Sequence, residues 1–153
     1  MTKNMKKFII CSLQLLFVLL AATSCNDDEK QIDYEMLPER ARQFIQLYFP
    51  TEQCVRVVLD KDDGKTEYDA WLNNGTELEF DKRGEWISVD CRFSAVPAGI
   101  LPEAITADIA TRYPNAVVFK AEKQLGGYEI DIAGWDLYYN QQGAFIFAKP
   151  DWD

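Results

Sequence analysis

The sequence predicts an α+β fold made of two tandem repeats, each a helix followed by an antiparallel sheet. First, Leu37-Pro38-Glu39 and Leu101-Pro102-Glu103 open two helical stretches that lie 64 positions apart and close on Tyr48-Phe49-Pro50 and Arg112-Tyr113-Pro114. Second, the β-rich stretches after the helices share landmarks in one order, namely Tyr68 and Tyr128, Gly75 and Gly134, Leu78 and Leu137, Phe80 and Tyr139, Gly84 and Gly143, and Trp86 and Phe145. We expect repeats at 37–94 and 95–149 that form one folded unit, 37–149, with a shared curved sheet and both helices on one face.

Residues 1–24 have the pattern of a lipoprotein signal peptide. A start with three lysines precedes an apolar segment from Phe8 to Ala22, and the small residues Ala22-Thr23-Ser24 stand before Cys25. A cysteine at this place resembles a bacterial lipobox, so Cys25 is the expected lipidation site. A plain secretory signal is the alternative. A membrane-spanning anchor is a poorer interpretation, because Gln14 interrupts an apolar segment shorter than the ~20 residues that a spanning helix needs.

The expected lipid places the protein in a bacterial cell envelope, on the outer or inner membrane, either periplasmic or surface-exposed. Residues 25–36 start with a polar run, Asn26 to Gln31, and are predicted to be a tether. This acidic run also resembles the surface-export signals of some envelope lipoproteins, and an ordinary solvated linker explains it equally well. The leader holds three of the 16 basic residues and none of the 25 acidic ones, so the mature net charge is 13 − 25 = −12. Nucleic acid is therefore not an expected partner, because phosphate binding needs clustered Lys and Arg.

Each predicted helix has a one-sided apolar stripe. In the first repeat the stripe repeats at helical spacing, and in the second it recurs every four residues: Leu37, Ala41, Phe44, Ile45 and Tyr48, then Leu101, Ile105, Ile109 and Tyr113. Pro38 suits a first helical turn, and Pro50 stops the helix because it has no N–H to donate. Both stripes are expected to pack on the sheet.

Period-two alternation predicts the strands, and Gly or Asn clusters predict the turns between them. In the first repeat the turns fall at Asp62–Lys65, Asn73–Gly75 and Lys82–Gly84. In the second repeat the strands fall around Val117–Phe119, Tyr128–Ile132, Trp135–Tyr139 and Phe145–Phe147. Cys54 opens the first strand and Cys91 closes the fourth. Three strand spacings of ~4.8 Å exceed disulfide reach, so two free buried thiols are favoured over a bridge.

The motifs of the first repeat resemble a known family. They are Leu-Pro before the helix, Tyr-Phe-Pro after it, Tyr68-x-x-x-Leu72, Asn74-Gly75-x-Glu-Leu-Glu-Phe-Asp81 and Gly84-Glu-Trp86. This order resembles the PepSY-like, β-lactamase-inhibitor-like family over about residues 37–149, and many members of that family are envelope lipoproteins. In the second repeat, Asn140-Gln141-Gln142 replaces the acidic turn Asp81-Lys82-Arg83. The resemblance implies tandem α+β repeats and an inhibitory or protein-binding role, without an inhibitory loop that transfers residue by residue.

Enzymatic activity and a cofactor are not expected. The chain has no histidine, which removes the commonest general base and zinc ligand. Carboxylates on an exposed sheet face are expected to keep near-normal pKa values, which argues against acid–base catalysis. The segment Asp60-Lys61-Asp62-Asp63-Gly64 resembles a calcium loop, but Gly64, Lys65 and Trp71 stand where positions 5, 6 and 12 need a ligand, glycine and glutamate. We therefore expect a hairpin turn here, with no metal site and no catalytic residue.

The predicted site is the face of the sheet opposite the helices. Alternation places nine acidic and aromatic residues there: Asp69, Trp71, Glu77, Glu79, Asp81, Glu129, Asp131, Asp136 and Tyr138. Aromatics among acids are typical of binding surfaces, with Trp71 as anchor, although a normal solvated face with Arg56 and Arg92 pairing the acids remains an alternative. We expect an envelope protein or peptide with a basic surface as partner, and inhibition of that partner is one form that the binding takes. The alternatives are a binder of cations or small ligands and a structural envelope component.

Overall fold

The computed structural model describes residues 29–62 and 64–151; the predicted signal peptide and Cys25 lie outside these residues. The described chain forms one open antiparallel sheet of nine strands in chain order and two α-helices. The helices are α1 (Glu39–Tyr48) and α2 (Glu103–Arg112). The strands are β1 (Lys30–Ile32), β2 (Cys54–Asp60), β3 (Glu67–Leu72), β4 (Glu77–Asp81), β5 (Trp86–Asp90), β6 (Val118–Gln124), β7 (Gly127–Ile132), β8 (Trp135–Asn140) and β9 (Phe145–Pro150).

A single row of small and aliphatic side chains crosses the sheet and defines its helix face. Each member is paired with the next through the strand register, and all are buried: Val57, Ala70, Leu78, Val89, Ala121, Ile130 and Leu137. Ala41 and Ile45 of α1 pack on the first part of this face, and Ile105 and Ile109 of α2 pack on the second. The α+β class and the placement of both helices on one face of a continuous sheet are therefore as the sequence predicts.

Trp86 joins the two parts of the core. It packs against both hydrophobic clusters, and its ring lies 6.3 Å from that of Tyr128. Lys123 Nζ lies 4.1 Å from the centre of the Trp86 ring, a distance at which a cation is attracted to an aromatic face. The described chain thus buries one continuous layer, since β5 pairs directly with β6.

The turns before β5 and before β9 have the same hydrogen bonding. Asp81 Oδ1 accepts from the N–H groups of Arg83 and Glu85, and Asn140 Oδ1 accepts from those of Gln142 and Ala144. The glycines of these turns, Gly84 and Gly143, have φ of +79° and +77° and lie against the first turns of α1 and α2. Asparagine can replace aspartate here because both side chains offer the same acceptor oxygen.

The predicted tether, residues 25–36, is wrong for its second part. Lys30–Ile32 form β1 and pair with β2, and Tyr34–Met36 form a short 3₁₀ turn. Ile32 belongs to the core, and Leu37 after the turn is buried too. Burial of the Ile32 side chain holds the otherwise polar segment Lys30–Ile32 against β2 as the edge strand of the sheet. The folded unit therefore includes Lys30–Ile32 and does not start at Leu37.

Both cysteines in the described chain are free thiols, as favoured from the sequence. Cys91 is buried, but Cys54 is only half-buried, at the start of β2. Neither helix is long and apolar enough to cross a membrane, as judged over the described residues.

Candidate binding face

The open face, defined as the sheet side opposite the helices, carries all nine residues of the predicted site. The strand register places them in cross-strand rows. One row runs Gln31, Val58, Asp69, Glu79, Ser88, Glu122, Glu129, Tyr138 and Phe147, and a second runs Arg56, Trp71, Glu77, Asp90, Lys120, Asp131, Asp136 and Lys149. Val58 and Ser88 of the first row are buried. Asp81 stands opposite Glu67 in a third, shorter row. The structure thus brings the predicted residues onto one surface, spread over both halves of the sheet.

The register sets carboxylates directly opposite one another on neighbouring strands. Asp69 faces Glu79, and Glu67 faces Asp81. The same arrangement recurs at three further pairs: Glu77 and Asp90, Glu122 and Glu129, and Asp131 and Asp136. Like charges directly opposite one another destabilise a sheet. The open face therefore holds negative charge at a cost in stability.

Basic residues compensate part of this charge. Arg92 pairs with Glu77 and approaches Asp90 at 4.0 Å. Lys120 Nζ lies 3.1 Å from Glu122 Oε2, and Lys149 Nζ lies 3.1 Å from Asp136 Oδ2. In the described part of the chain neither Asp69 nor Glu79 forms an ion pair. The expected pairing of Arg92 is confirmed, whereas Arg56 forms no ion pair among the described residues, and neither does the acid Glu129 on β7.

The aromatic side chains of this face differ in their exposure to solvent. Trp71 is half-buried and has the Arg56 guanidinium 4.5 Å from its ring centre. Tyr138 stacks on Phe147 with 4.4 Å between ring centres and 13° between ring planes. Phe147 is 49% exposed, and contiguous exposed aromatic area is typical of binding surfaces. Phe147 is an open-face residue that is absent from the nine predicted ones.

Burial changes the acidity of three of these carboxyl groups. Half-burial, followed by repulsion from Asp60 and Glu67, raises the pKa of Asp69 to about 6. Burial raises the pKa of Asp131 to about 6, against the opposing influence of Lys120. The pKa of Glu79 is also raised, by burial and then by Asp69. For these three groups the expectation of near-normal pKa values is therefore wrong, because the sheet and neighbouring side chains shield them from water.

The chemistry of the face is that of a charged, partly aromatic surface. No histidine exists in the chain, and among the described residues no three or more carboxylates or thiols converge to hold a metal ion. A cavity of about 260 Å³ lies at the β2–β3 hairpin between Asp60, Asp62, Lys65 and Glu67. The lysine beside these three acids is the kind of counter-ion that a solvated turn carries.

Comparison with known proteins identifies the family. Residues 66–147, more than half of the chain, match the family model described as "Putative beta-lactamase-inhibitor-like, PepSY-like". The chain belongs to this PepSY-like family, as the resemblance predicted. No curated protein matches the sequence.

Three solved structures are similar over nearly their whole length. One, 36% identical with a TM-score of 0.78, is a "putative periplasmic protein from DUF2874 family" of Bacteroides vulgatus, and the match covers 81% of this chain and 98% of that one. A second protein of that species, "of unknown function", is 31% identical over 79% and 98% of the chains with a TM-score of 0.76. A "putative calcium-regulated periplasmic protein" of Bacteroides thetaiotaomicron is 32% identical over 80% and 97%, with a TM-score of 0.77.

Proposed function

We propose that the protein is a lipid-anchored, non-enzymatic protein of the cell envelope that binds another protein or a peptide through its open face. The observation that carries the proposal is the open face itself: a continuous surface across both halves that combines opposed carboxylates with the Tyr138–Phe147 stack. Proteins retain destabilising surface charge where function needs it. The acidic rows favour a partner that presents Lys or Arg.

Localisation in the envelope is supported from two directions. The similar structures are described as periplasmic proteins. Residues 1–24 and Cys25 have the lipobox pattern, which would hold the domain to a membrane through a lipid. The description of the family as β-lactamase-inhibitor-like supports inhibition as the form that binding takes.

The non-enzymatic assignment is supported by the family, which is described by inhibitor likeness and not by a reaction. Raised pKa values at Asp69 and Asp131 alone do not make a catalytic pair, because these residues lie on β3 and β7, four strands and about 19 Å apart. That distance is about twice the largest separation of the carboxyl pairs in glycosidases.

The experiment that tests this function is in-cell crosslinking followed by capture from the native envelope. We expect a discrete partner with a basic surface, whose capture falls as salt rises. Trp71→Ala and Phe147→Ala should each weaken capture, because truncating an aromatic residue that is a binding hot spot typically costs about 2 kcal/mol or more. Glu79→Gln should mainly slow association.

The matched control is Gln43→Ala, on the exposed side of α1, where the Gln43 amide donates to Glu39 Oε1 one helical turn earlier at 3.0 Å. This variant should be captured like the native protein. If both aromatic variants fold and are captured normally while Gln43→Ala is not, the binding surface lies on the helix side.

A second candidate function is binding of a cation or small ligand by the acidic face. It is favoured by the similar protein described as calcium-regulated and by the opposed acids Asp69 and Glu79. Thermal melting with and without Ca²⁺ separates the two. A Ca²⁺-dependent rise in Tm that disappears in Asp69→Asn supports this candidate, and an unchanged Tm leaves protein binding as the function.

We also propose that the two halves are tandem copies of one unit. The proposal is supported by the repeated order of a helix and four strands, and by the matching Asp81 and Asn140 turns. Duplication would enlarge one face without assembling a catalytic centre, which agrees with a binding role.

A further inference from the structure

A cavity on the far side of the molecule from the acidic rows is not used by the proposed function. It has a volume of about 620 Å³ and lies where α1 ends and β2 begins. Volumes of this size are typical of small-molecule sites. Its floor is apolar and firm, because the lining residues Ile45 and Phe49 belong to the buried core.

One wall of the cavity is built by the segment predicted as a tether. Tyr34, in the 3₁₀ turn after β1, lines the cavity, and its hydroxyl donates to the carbonyl oxygen of Arg42 at 3.5 Å. On the other side, the Gln53 N–H donates to Asn73 Oδ1 at 3.1 Å, which fixes the start of β2. The half-buried Cys54 thiol also lines the cavity.

The polar groups of the lining favour a cation. Glu52 is its charged residue, and its carboxylate accepts only from the neighbouring Thr51 hydroxyl among the hydrogen bonds of the described chain. Gln46 and Pro50 line the cavity too. Because Pro50 has no N–H, the carbonyl of Gln46 lacks its i+4 donor, and the C-terminal end of a helix carries partial negative charge.

The second half of the sheet keeps the floor of this cavity but not its specific groups. At the offset of 64 positions that relates the helices, Ile45 and Phe49 correspond to Ile109 and Tyr113. The residues that give the cavity its charge and its thiol, Glu52 and Cys54, correspond to Ala116 and Val118. The charged and thiol lining is therefore a feature of the first half.

We propose that this cavity binds a small organic cation with an apolar body, such as an arylalkylamine. The ammonium lies between the Glu52 carboxylate and the end of α1, where it neutralises an acid and meets the Gln46 carbonyl that has no i+4 donor. The apolar body lies against Ile45, Phe49 and the Tyr34 ring. This site is separate from the open face and does not depend on the function proposed for that face.

The Cys54 thiol gives a direct measurement of occupancy. The full-length protein is treated with iodoacetamide, and mass spectrometry follows alkylation of the peptide that contains Cys54. Cys91, which is 1% exposed, serves as an internal measure of unfolding. The probe is tryptamine, and the matched control is 3-ethylindole, which keeps the apolar body and lacks the ammonium.

We expect tryptamine to slow alkylation of Cys54 at about tenfold lower concentration than 3-ethylindole, a preference of the size that one favourable charge contact gives. In Glu52→Gln the two compounds should act at equal concentrations, while Cys91 stays unreactive in both proteins. Equal protection by both compounds in the native protein, absence of protection by either, or a preference for tryptamine that persists in Glu52→Gln would each overturn the proposal.

Discussion

The half-buried aspartates of the open face lead to a quantitative prediction about stability and pH. The pKa of Asp69 and of Asp131 is about 6 in the folded protein and 3.8 for an unperturbed aspartate. The folded state therefore binds the additional proton between these values. The contribution of each aspartate to the free energy of unfolding is therefore fully present below about pH 4, where the group is protonated in both states. This contribution is lost as the pH rises through about 6.

The magnitude follows from the two pKa values. Their full difference corresponds to about 3 kcal/mol, and solvent screening of a half-exposed carboxylate reduces this to about 1 kcal/mol. Asp69→Asn should therefore raise the free energy of unfolding by about 1 kcal/mol at pH 8 and by almost nothing at pH 4. Asp131→Asn should behave in the same way. Because β3 and β7 lie four strands apart, the double variant should gain about 2 kcal/mol.

Urea unfolding, followed by tryptophan fluorescence and circular dichroism at pH 4 and pH 8, measures these differences. The control is Asp136→Asn, which removes a carboxylate that Lys149 pairs with and should not stabilise the protein at pH 8. The reasoning is refuted if Asp69→Asn is no more stable than the native protein at pH 8, or if its gain is the same at both pH values.

Three further predictions concern the anchor, a close contact and the cooperativity of the fold. Labelled fatty acid should enter the native protein and not Cys25→Ala, and equal label in both would exclude lipidation at this cysteine. Gly84→Ala should cost about 2 kcal/mol more than Gly64→Ala in urea unfolding, because a Cβ at Gly84 would lie 2.8 Å from the Ala41 nitrogen, whereas one at Gly64 meets nothing within 4 Å among the described residues; equal costs would contradict this contact. A fragment of residues 95–153 should be largely unfolded by circular dichroism, because it loses the β5–β6 pairing and is marginal in size, and a sharp thermal transition like that of the full chain would contradict the shared core.

The sequence predicts the helices and turns well because strong local signals specify them. Pro38 and Pro50 bracket α1, and the Gly84 turn lies where glycine is required by a positive φ. β1 is hidden, since it is three residues long and only Ile32 is buried. An edge strand this short has no periodicity to detect, and pairing with β2 is decided by the tertiary fold.

The candidate site was predictable wherever simple alternation holds and was missed where it breaks. Phe145 packs against the core on the helix face. Strict alternation along β9 would therefore place Phe147 on the helix face as well. The register shifts between Tyr138 and Tyr139, so Tyr139 pairs with Phe145 while Tyr138 pairs with Phe147. The one additional residue, Ile146, turns Phe147 onto the open face. A bulge of this kind depends on the neighbouring strand and leaves no signal in the sequence of β9 alone.

The two halves anchor their helices by different chemistry at equivalent places. In the first half, Phe44 of α1 meets Phe80 edge-on with 5.6 Å between ring centres. In the second, the Tyr139 hydroxyl donates to Asp108 Oδ2 of α2 at 3.0 Å, and Arg112 binds the same carboxylate at 2.8 Å. An aromatic contact is replaced by a hydrogen-bonded network, and the helix keeps its place on the sheet in both cases. The scaffold therefore tolerates changes within its core while the open face and the Glu52 cavity differ between halves, which is where we expect specificity to lie.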